Sequence, residues 1–133
     1  MTAGNDTNRN EPPVRQEPTG EAARSGKSFS LAVIELGTSA IRMAIGESVD
    51  GITVRSFEQL VRGVSLGKDT FTTGEIQRKT LQECIRVLKS YRRKLKEYDC
   101  HDPKHIRIVA TSAVREATNR MEVLDRIYIA TGF

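Results

Sequence analysis

Residues 31–45 read LAVIELGTSAIRMAI, and this stretch decides the fold. Two apolar segments flank a mostly polar segment at residues 35–40. Residues 31–34 are too few for a stable helix, and their aliphatic side chains predict a buried strand. Residues 41–45 alternate between apolar side chains and charged or small ones, which predicts a second strand. The chain must reverse direction in the polar segment between the two strands. Gly37 permits this turn because it has no Cβ.

The predicted turn gathers groups that can hold an ion. Glu35 supplies a carboxylate, Thr38 and Ser39 supply hydroxyls, and a tight turn leaves backbone N–H groups free. Such a set suits a metal ion or a phosphate. A purely structural hairpin is the alternative, because Gly, Ser and Thr are common in turns. The stretch alone leaves both interpretations open.

Length and composition limit the remaining possibilities. The 133 residues allow one domain, and no apolar run is long enough to span a bilayer or to form a signal peptide. We therefore expect a soluble, cytoplasmic protein in which Cys84 and Cys100 are free thiols. The net charge of +4 suits an anionic ligand without predicting nucleic acid, and the lack of Trp argues against a base-stacking surface. Residues 1–28 are polar and charge-balanced, which predicts a disordered tail before a folded part at residues 29–133.

The next segment completes a meander. Asp50 and Gly51 predict a turn, and a third strand is expected at residues 52–61. The first three strands would then form an antiparallel sheet. Residues 62–69 contain two glycines and two cations, and are predicted to form a loop that can lie against a phosphate.

A capping box formed by Thr72 and Glu75 predicts a helix over residues 75–98. Every third or fourth residue of this segment is apolar, as in a helix that packs on one side. The opposite face is basic, and a solvated surface is the usual interpretation of such a face, with a nucleic-acid surface as the alternative. The apolar stripe is Leu81, Cys84, Ile85, Leu88, Tyr91 or Arg92, and Leu95, and the basic residues are Arg78, Lys79, Arg86, Lys89, Arg93, Lys94 and Lys96.

Two histidines follow the helix. His101 and His105 are four residues apart, the spacing of two metal ligands on one helix face. Pro103 lies between them and disfavours a helix. We therefore expect a loop with both histidines exposed to solvent, rather than a metal site.

A further strand is predicted at residues 106–110, followed by helices at residues 114–119 and 121–130. Gly132 is expected to terminate the last helix. The strand ends in small and hydroxylated residues, and the following helix begins with unpaired N–H groups, so this exit is a predicted anion site. The sequence stops where an α/β chain would begin its next strand, which indicates a truncated chain.

Three motifs in this order resemble the Ppx/GppA phosphatases, the exopolyphosphatases and guanosine pentaphosphate phosphohydrolases. Residues 34–42, IELGTSAIR, resemble the first phosphate motif of the family, and Arg62, Leu66 and Gly67 resemble the loop before its long helix. Residues 110–119, ATSAVREATN, are the most specific match. The resemblance covers residues 30–133. It implies an α/β fold, a three-stranded antiparallel meander plus a further strand flanked by helices, as half of an actin-like, ribonuclease H-like ATPase domain.

The resemblance also implies roles for individual residues. Glu35 would position a hydrated Mg²⁺, the implied cofactor. The residues implied in phosphate binding are Gly37, Thr38, Ser39, Arg42, Thr111, Ser112 and Arg115. The general-base Glu of the family is expected beyond Phe133, so no catalytic residue is expected within this chain. The implied partner is polyphosphate or guanosine pentaphosphate, with no nucleic acid or membrane, and the full-length protein would be a homodimer.

Three positions differ from the family motif. Glu35 stands where the family has Asp, which moves the carboxylate outward by one methylene, and Ser39 and Ala40 stand where it has Asn and Ser. We expect the N-terminal portion of a hydrolase that releases terminal phosphate from one of these phosphoanhydrides, inactive as an isolated chain. The alternatives are a non-catalytic phosphate-binding module and an interaction piece.

Overall fold

The computed structural model describes residues 27–133. The tail predicted over residues 1–28 therefore lies outside the described residues, except for its last two positions. Four strands and four helices make up the described part, together with one short 3-10 turn. In chain order they are β1 (Phe29–Leu36), β2 (Ala40–Ser48), β3 (Arg55–Gly63), α1 (Leu66–Thr73), α2 (Arg78–Glu97), the 3-10 turn (Pro103–His105), β4 (Ile106–Ala110), α3 (Ser112–Arg115) and α4 (Arg120–Thr131).

The strands form one sheet in the order β3-β2-β1-β4. The first three are antiparallel, whereas β4 lies parallel to β1. A parallel neighbour requires a long crossover, and α1 and α2 supply it. The predicted α/β class, with a meander and one further strand, is confirmed. Because Leu36 is in register with Ala110, the carboxyl ends of β1 and β4 lie side by side.

One face of the sheet is packed and the other is open. Alternate strand residues point to opposite faces, so neighbours in the chain differ sharply in burial. The packed face consists of Ala32, Ile34, Leu36, Ile41, Met43 and Ile45, all almost fully buried. The open face carries Val33, Glu35, Arg42, Ala44, Gln59, Val61, Arg107 and Val109, most of which are exposed.

Helix α2 contributes its predicted apolar stripe to the core. Its buried residues are Leu81, Cys84, Leu88, Tyr91 and Leu95. Tyr91, rather than Arg92, fills the ambiguous position. Its hydroxyl donates a 2.8 Å hydrogen bond to the carbonyl oxygen of Ile41 and so joins α2 to β2. Cys84 and Cys100 are free, buried thiols, as expected.

The capping box and the 62–69 loop were wrong predictions. Strand β3 continues to Gly63, and a separate helix, α1, occupies residues 66–73. The proposed cap, Thr72, lies in the last turn of α1, which Gly74 ends in the left-handed conformation, so Thr72 does not begin a new helix. Helix α2 begins only after Gln77, and no side chain caps it. The carboxylate of Glu75 instead accepts a hydrogen bond from the Thr118 hydroxyl.

Two further predictions need correction. The helix expected at residues 114–119 is the single turn α3, which ends at Arg115. His105 is half-buried rather than exposed, because its ring stacks on Phe29 with centroids 4.4 Å apart. By contrast, α4 matches its prediction closely, and Gly132 ends it with a φ of 72°.

The turn between β2 and β3 is built around Asp50. Its carboxylate accepts hydrogen bonds from the backbone N–H groups of Ile52 and Thr53, at 2.9 and 2.7 Å. These bonds lower the pKa of Asp50 to about 2. The turn delays the third strand, so that β3 begins at residue 55 instead of the predicted 52. Within residues 27–133, no helix is long and apolar enough to cross a membrane.

Candidate functional site

The link between β1 and β2 is a tight loop of three residues, Gly37, Thr38 and Ser39. The Gly37 N–H donates to the carbonyl oxygen of Ala40 at 3.0 Å and closes the loop. A Cβ on Gly37 would lie 2.8 Å from that same oxygen, which is too close for any side chain. Glycine is therefore required here by crowding, since its φ is not positive. We call residues 37–40 the tip.

Helix α1 and the residues before it hold the tip from one side. The carbonyl oxygen of Ser39 accepts from the Val64 N–H at 3.1 Å, and that of Thr38 accepts from the Gly67 N–H at 2.7 Å. Both carbonyl groups are thus occupied. Among residues 27–133, the N–H groups and hydroxyls of Thr38 and Ser39 have no acceptor, and both side chains are exposed. Clustered free donors of this kind can bind an anion.

Gly67 allows α1 to approach the Thr38 side chain of the tip. The sequence included it only in a loop that resembles the family. A methyl group on Gly67 would overlap the Cγ2 atom of Thr38. A glycine inside a helix costs about 1 kcal/mol relative to alanine, but the sequence predicted a loop here and so did not single out Gly67. Its presence in α1 shows that close approach to the tip outweighs helix propensity.

Glu35 and Arg42 face each other across β1 and β2 on the open face. Their nearest charged atoms, Arg42 Nη1 and Glu35 Oε2, are 3.9 Å apart, and the side chains are 52% and 40% exposed. Arg42 Nη1 also lies 3.2 Å from the position of a Cβ on Gly37, so the guanidinium reaches over the tip. Both charges remain accessible to a ligand.

The exit of β4 lies beside the end of β1. The N–H and the hydroxyl of Thr111 both donate to the carbonyl oxygen of Leu36, each at 3.1 Å. Thr111 therefore fixes the junction, and its hydroxyl proton is already used. The Ser112 hydroxyl and the Arg115 guanidinium have no hydrogen-bond partner in the described part of the chain, and Arg115 is exposed. Because α3 is a single turn, the helix-end field expected at this exit is small.

Two other residues of the 110–119 motif, Asn119 and Ala113, are structural. The Asn119 amide donates to the Ile76 carbonyl at 2.9 Å and accepts from the Ile76 N–H at 3.0 Å, which locks the link between α1 and α2. Ala113 is buried, and its carbonyl accepts from Thr70. The fold uses these residues fully. The Arg115 guanidinium, a cation in the motif, has no hydrogen-bond partner among the described residues.

The side chains near the tip decide how the Mg²⁺ implied by the resemblance could be held. Residues 27–133 contain no cluster of three His, Cys, Asp or Glu side chains that could hold a metal, and the two histidines form none. Glu35 offers a carboxylate near the tip, paired with Arg42 at 3.9 Å. Mg²⁺ commonly keeps several waters and is bound through one or two carboxylates plus substrate phosphates. Glu35 fits an ion held jointly with a phosphate ligand, and does not fit a dedicated protein cage.

The fold defines the class of protein. A three-stranded antiparallel meander joined to a parallel fourth strand and flanked by helices is part of an actin-like α/β domain. The sequence model of the Ppx/GppA phosphatase family matches residues 44–133. The chain belongs to this family. The match begins at Ala44, so the tip, Glu35 and Arg42 lie outside it.

Solved structures support this assignment. The crystal structure of the Aquifex aeolicus Ppx/GppA family member is 30% identical, with a TM-score of 0.72, and the alignment covers 80% of this chain and 33% of that one. An exopolyphosphatase from Cytophaga hutchinsonii is 27% identical, with a TM-score of 0.71, over 79% of this chain and 32% of its own. This chain thus spans about a third of these structural relatives.

A curated relative is the bifunctional 3-dehydroquinate synthase/phosphatase of Fusobacterium nucleatum. It is 26% identical over 108 residues, which cover 78% of this chain and 16% of the relative.

Proposed function

We propose that this chain forms the terminal-phosphate-binding part of a phosphohydrolase acting on polyphosphate or guanosine pentaphosphate. One observation carries the proposal. The Thr38 and Ser39 amides and hydroxyls are free and exposed among the described residues, while their carbonyl groups are held by α1. Preorganised donors stabilise phosphate oxygens without reorganising when the ligand binds.

The cations near the tip complete the proposed site. Arg42 reaches over Gly37, and Arg115 stands one turn beyond the exit of β4. An arginine fork can donate to two phosphate oxygens at once. In the proposed complex Arg42 exchanges part of its long contact with Glu35 for a phosphate oxygen. Glu35 then becomes available to a hydrated Mg²⁺, which supplies charge neutralisation when bound.

The proposed reaction is hydrolysis of the terminal phosphoanhydride. Water attacks the terminal phosphorus, and the bond between that phosphorus and the bridging oxygen breaks. The two products are inorganic phosphate and a phosphate chain that is shorter by one unit. The tip and the two arginines bind the terminal group and align it. Positioning and electrostatic stabilisation supply most of the catalysis in phosphoryl transfer. None of the described acids is assigned as the base.

The Gly67→Ala substitution tests the tip. The added methyl group must displace Thr38, so we expect tripolyphosphate affinity in the presence of Mg²⁺ to fall about tenfold, the effect of losing one or two hydrogen bonds to a charged group. Gly63→Ala is the matched control, since a Cβ there meets nothing within 4 Å. Isothermal titration calorimetry on the folded variants measures the effect. Equal affinity for both variants would overturn the assignment of the tip.

The Arg115→Ala substitution tests the cation at the β4 exit. We expect a loss of about 10- to 100-fold in affinity, because charge-assisted hydrogen bonds contribute about 1.5–3 kcal/mol. Arg126→Ala is the control, because Arg126 is exposed and pairs with Glu122 at 2.9 Å, within α4. If both variants bind tripolyphosphate like the parent chain, Arg115 has no role in phosphate binding.

A second candidate function is a phosphate-binding module without turnover. It is favoured by the Glu35 carboxylate near the tip, which is already in contact with Arg42. A phosphate-release assay with polyphosphate and Mg²⁺ tests the second candidate. Release by this chain would refute the module, whereas binding that depends on Arg115 without release is expected of both candidates.

A further inference from the structure

The charge of this protein is concentrated on α2. The helix contains eight cations and two acids, a net charge of +6, whereas the whole chain carries +4. The remainder of the protein is therefore slightly acidic in sum. A helix with such an excess is either a solvated surface or a binding surface for an anion.

Five of these cations lie along one face of α2, and we call them the basic stripe. Its members are Lys79, Arg86, Lys89, Arg93 and Lys96, all exposed to solvent. At 3.6 residues per turn they fall within about 100° of arc, opposite the buried stripe. At 1.5 Å per residue the stripe extends about 26 Å along the helix.

Local interactions do not account for the stripe. Arg92 lies over the Phe133 ring, and Lys94 pairs with Glu97 at 2.8 Å, so those two cations have a structural use. No member of the stripe forms an ion pair within residues 27–133. Glu83 lies at helical spacing from Lys79 and Arg86, but contacts neither closely enough to pair. A favourable contact with the helix dipole explains cations in the last turn only, and Arg86 and Lys89 are in the middle.

We propose that the basic stripe binds the distal part of a linear inorganic polyphosphate chain. The inference deepens the proposed function, since it concerns the phosphates behind the terminal group. A row of cations about 26 Å long, four of them within its C-terminal stretch of about 15 Å, complements a flexible chain of closely spaced negative charges. The stripe is on α2 and shares no residue with the tip or the β4 exit.

The surface chemistry of α2 argues against two other polyanions. Single-stranded nucleic acid binds through aromatic side chains on which bases stack, and the one aromatic residue of α2, Tyr91, is buried. A membrane-surface helix inserts apolar side chains between lipids. None of the exposed large apolar residues among the described ones lies on α2. A base-free phosphate chain requires neither feature.

The test replaces four stripe residues together, as Arg86→Gln, Lys89→Gln, Arg93→Gln and Lys96→Gln. Glutamine has a similar helix propensity, so α2 should remain folded. The matched control removes the same charge elsewhere, through Lys27→Gln, Arg55→Gln, Lys104→Gln and Arg126→Gln, all at exposed positions. Affinities of the 133-residue chains are measured for long-chain polyphosphate, tripolyphosphate and oligothymidylate at low salt.

We expect the stripe variant to lose about tenfold or more in affinity for long-chain polyphosphate, since each exposed ion pair contributes modestly and several act together. The control variant should lose less than about threefold. Tripolyphosphate is too short to follow the stripe, so its affinity should not change. Equal losses in stripe and control variants, or no loss in either, would overturn the proposal.

The probes separate this inference from the proposed function. If the parent chain binds long polyphosphate through the stripe but does not bind tripolyphosphate, the tip proposal fails and the stripe stands. If tripolyphosphate binds through Arg115 while the stripe variant binds long chains normally, the tip stands and the stripe fails. Oligothymidylate binding as tight as that of polyphosphate, and equally weakened in the stripe variant, would refute the choice of a base-free chain.

Discussion

On β1, Ile34 is completely buried, whereas its neighbour Val33 is 42% exposed. The same contrast runs across the whole sheet. The packed face is aliphatic and lies beneath α2, while the open face mixes valines with the Glu35–Arg42 pair. Residues on the packed face are constrained by volume and burial, and those on the open face are free to serve a ligand. The difference indicates where substitutions should change stability and where they should change binding.

The largest expected difference separates Ile34→Ala from Val33→Ala. Truncating a fully buried isoleucine removes apolar contact and leaves a cavity, so the free energy of unfolding should fall by about 2–5 kcal/mol. The half-exposed valine should cost less than about 1 kcal/mol, because part of its surface is already hydrated. Urea unfolding followed by circular dichroism measures both. Comparable losses would show that the open face is also packed in solution.

A smaller effect should appear as a pH dependence of the free energy of unfolding, caused by the buried Cys84 on the packed side. Burial raises the pKa of the Cys84 thiol from 9.0 to about 12. The unfolded thiol ionises first, so stability is complete below pH 9 and decreases as the pH rises from 9 toward 12. Between pH 8 and pH 10 the contribution lost is about 1.4 kcal/mol.

Cys84→Ala should reduce this slope. Cys100 and Tyr91, whose pKa values are raised by burial, contribute to the remainder. Tyr98 and Lys94 contribute as well, because hydrogen bonds to Glu58 and Glu97 raise their pKa values. Unfolding free energies of both chains at pH 8, 9 and 10 provide the measurement. An unchanged slope in the variant would contradict a buried, protonated thiol at Cys84.

The packed side was also the more predictable from sequence. Aliphatic alternation located β1 and β2, and the three-to-four spacing located the buried face of α2. Both patterns follow from burial, which is a property of each residue and its near neighbours in the chain. The parallel pairing of β4 with β1 joins residues about 75 apart in the chain and was not predicted.

The linkers were predicted poorly, and the reason is physical. Thr72 and Glu75 have the sequence of a capping box, but Gly74 takes the left-handed conformation there and Thr118 and Asn119 hold the backbone of the link. Those partners lie more than 40 residues away in the chain. A local signal cannot compete with contacts that only the folded chain assembles.

Predictions for the site divided in the same way. The need for a glycine at residue 37 was predicted from a local turn pattern, whereas Gly67 was noted only as one of two loop glycines and as part of the resemblance. Its requirement comes from the close approach of α1 to Thr38, which no spacing rule reveals. Thr111 was expected to hold phosphate, and the structure shows its hydroxyl proton committed to Leu36.

The smallest expected change in stability is that of Glu35→Gln on the open face. Its contact with Arg42 is 3.9 Å long and both side chains are about half exposed, so the unfolding free energy should change by less than about 0.5 kcal/mol. If Glu35 positions a hydrated Mg²⁺ beside a phosphate, the same substitution should abolish the Mg²⁺-dependent gain in tripolyphosphate affinity and leave the Mg²⁺-free affinity unchanged or slightly higher. Titrations with and without Mg²⁺, alongside the urea curve, measure both quantities. A large loss of stability with normal Mg²⁺ dependence would place Glu35 among the residues that hold the fold, and would remove the distinction between the two faces at this position.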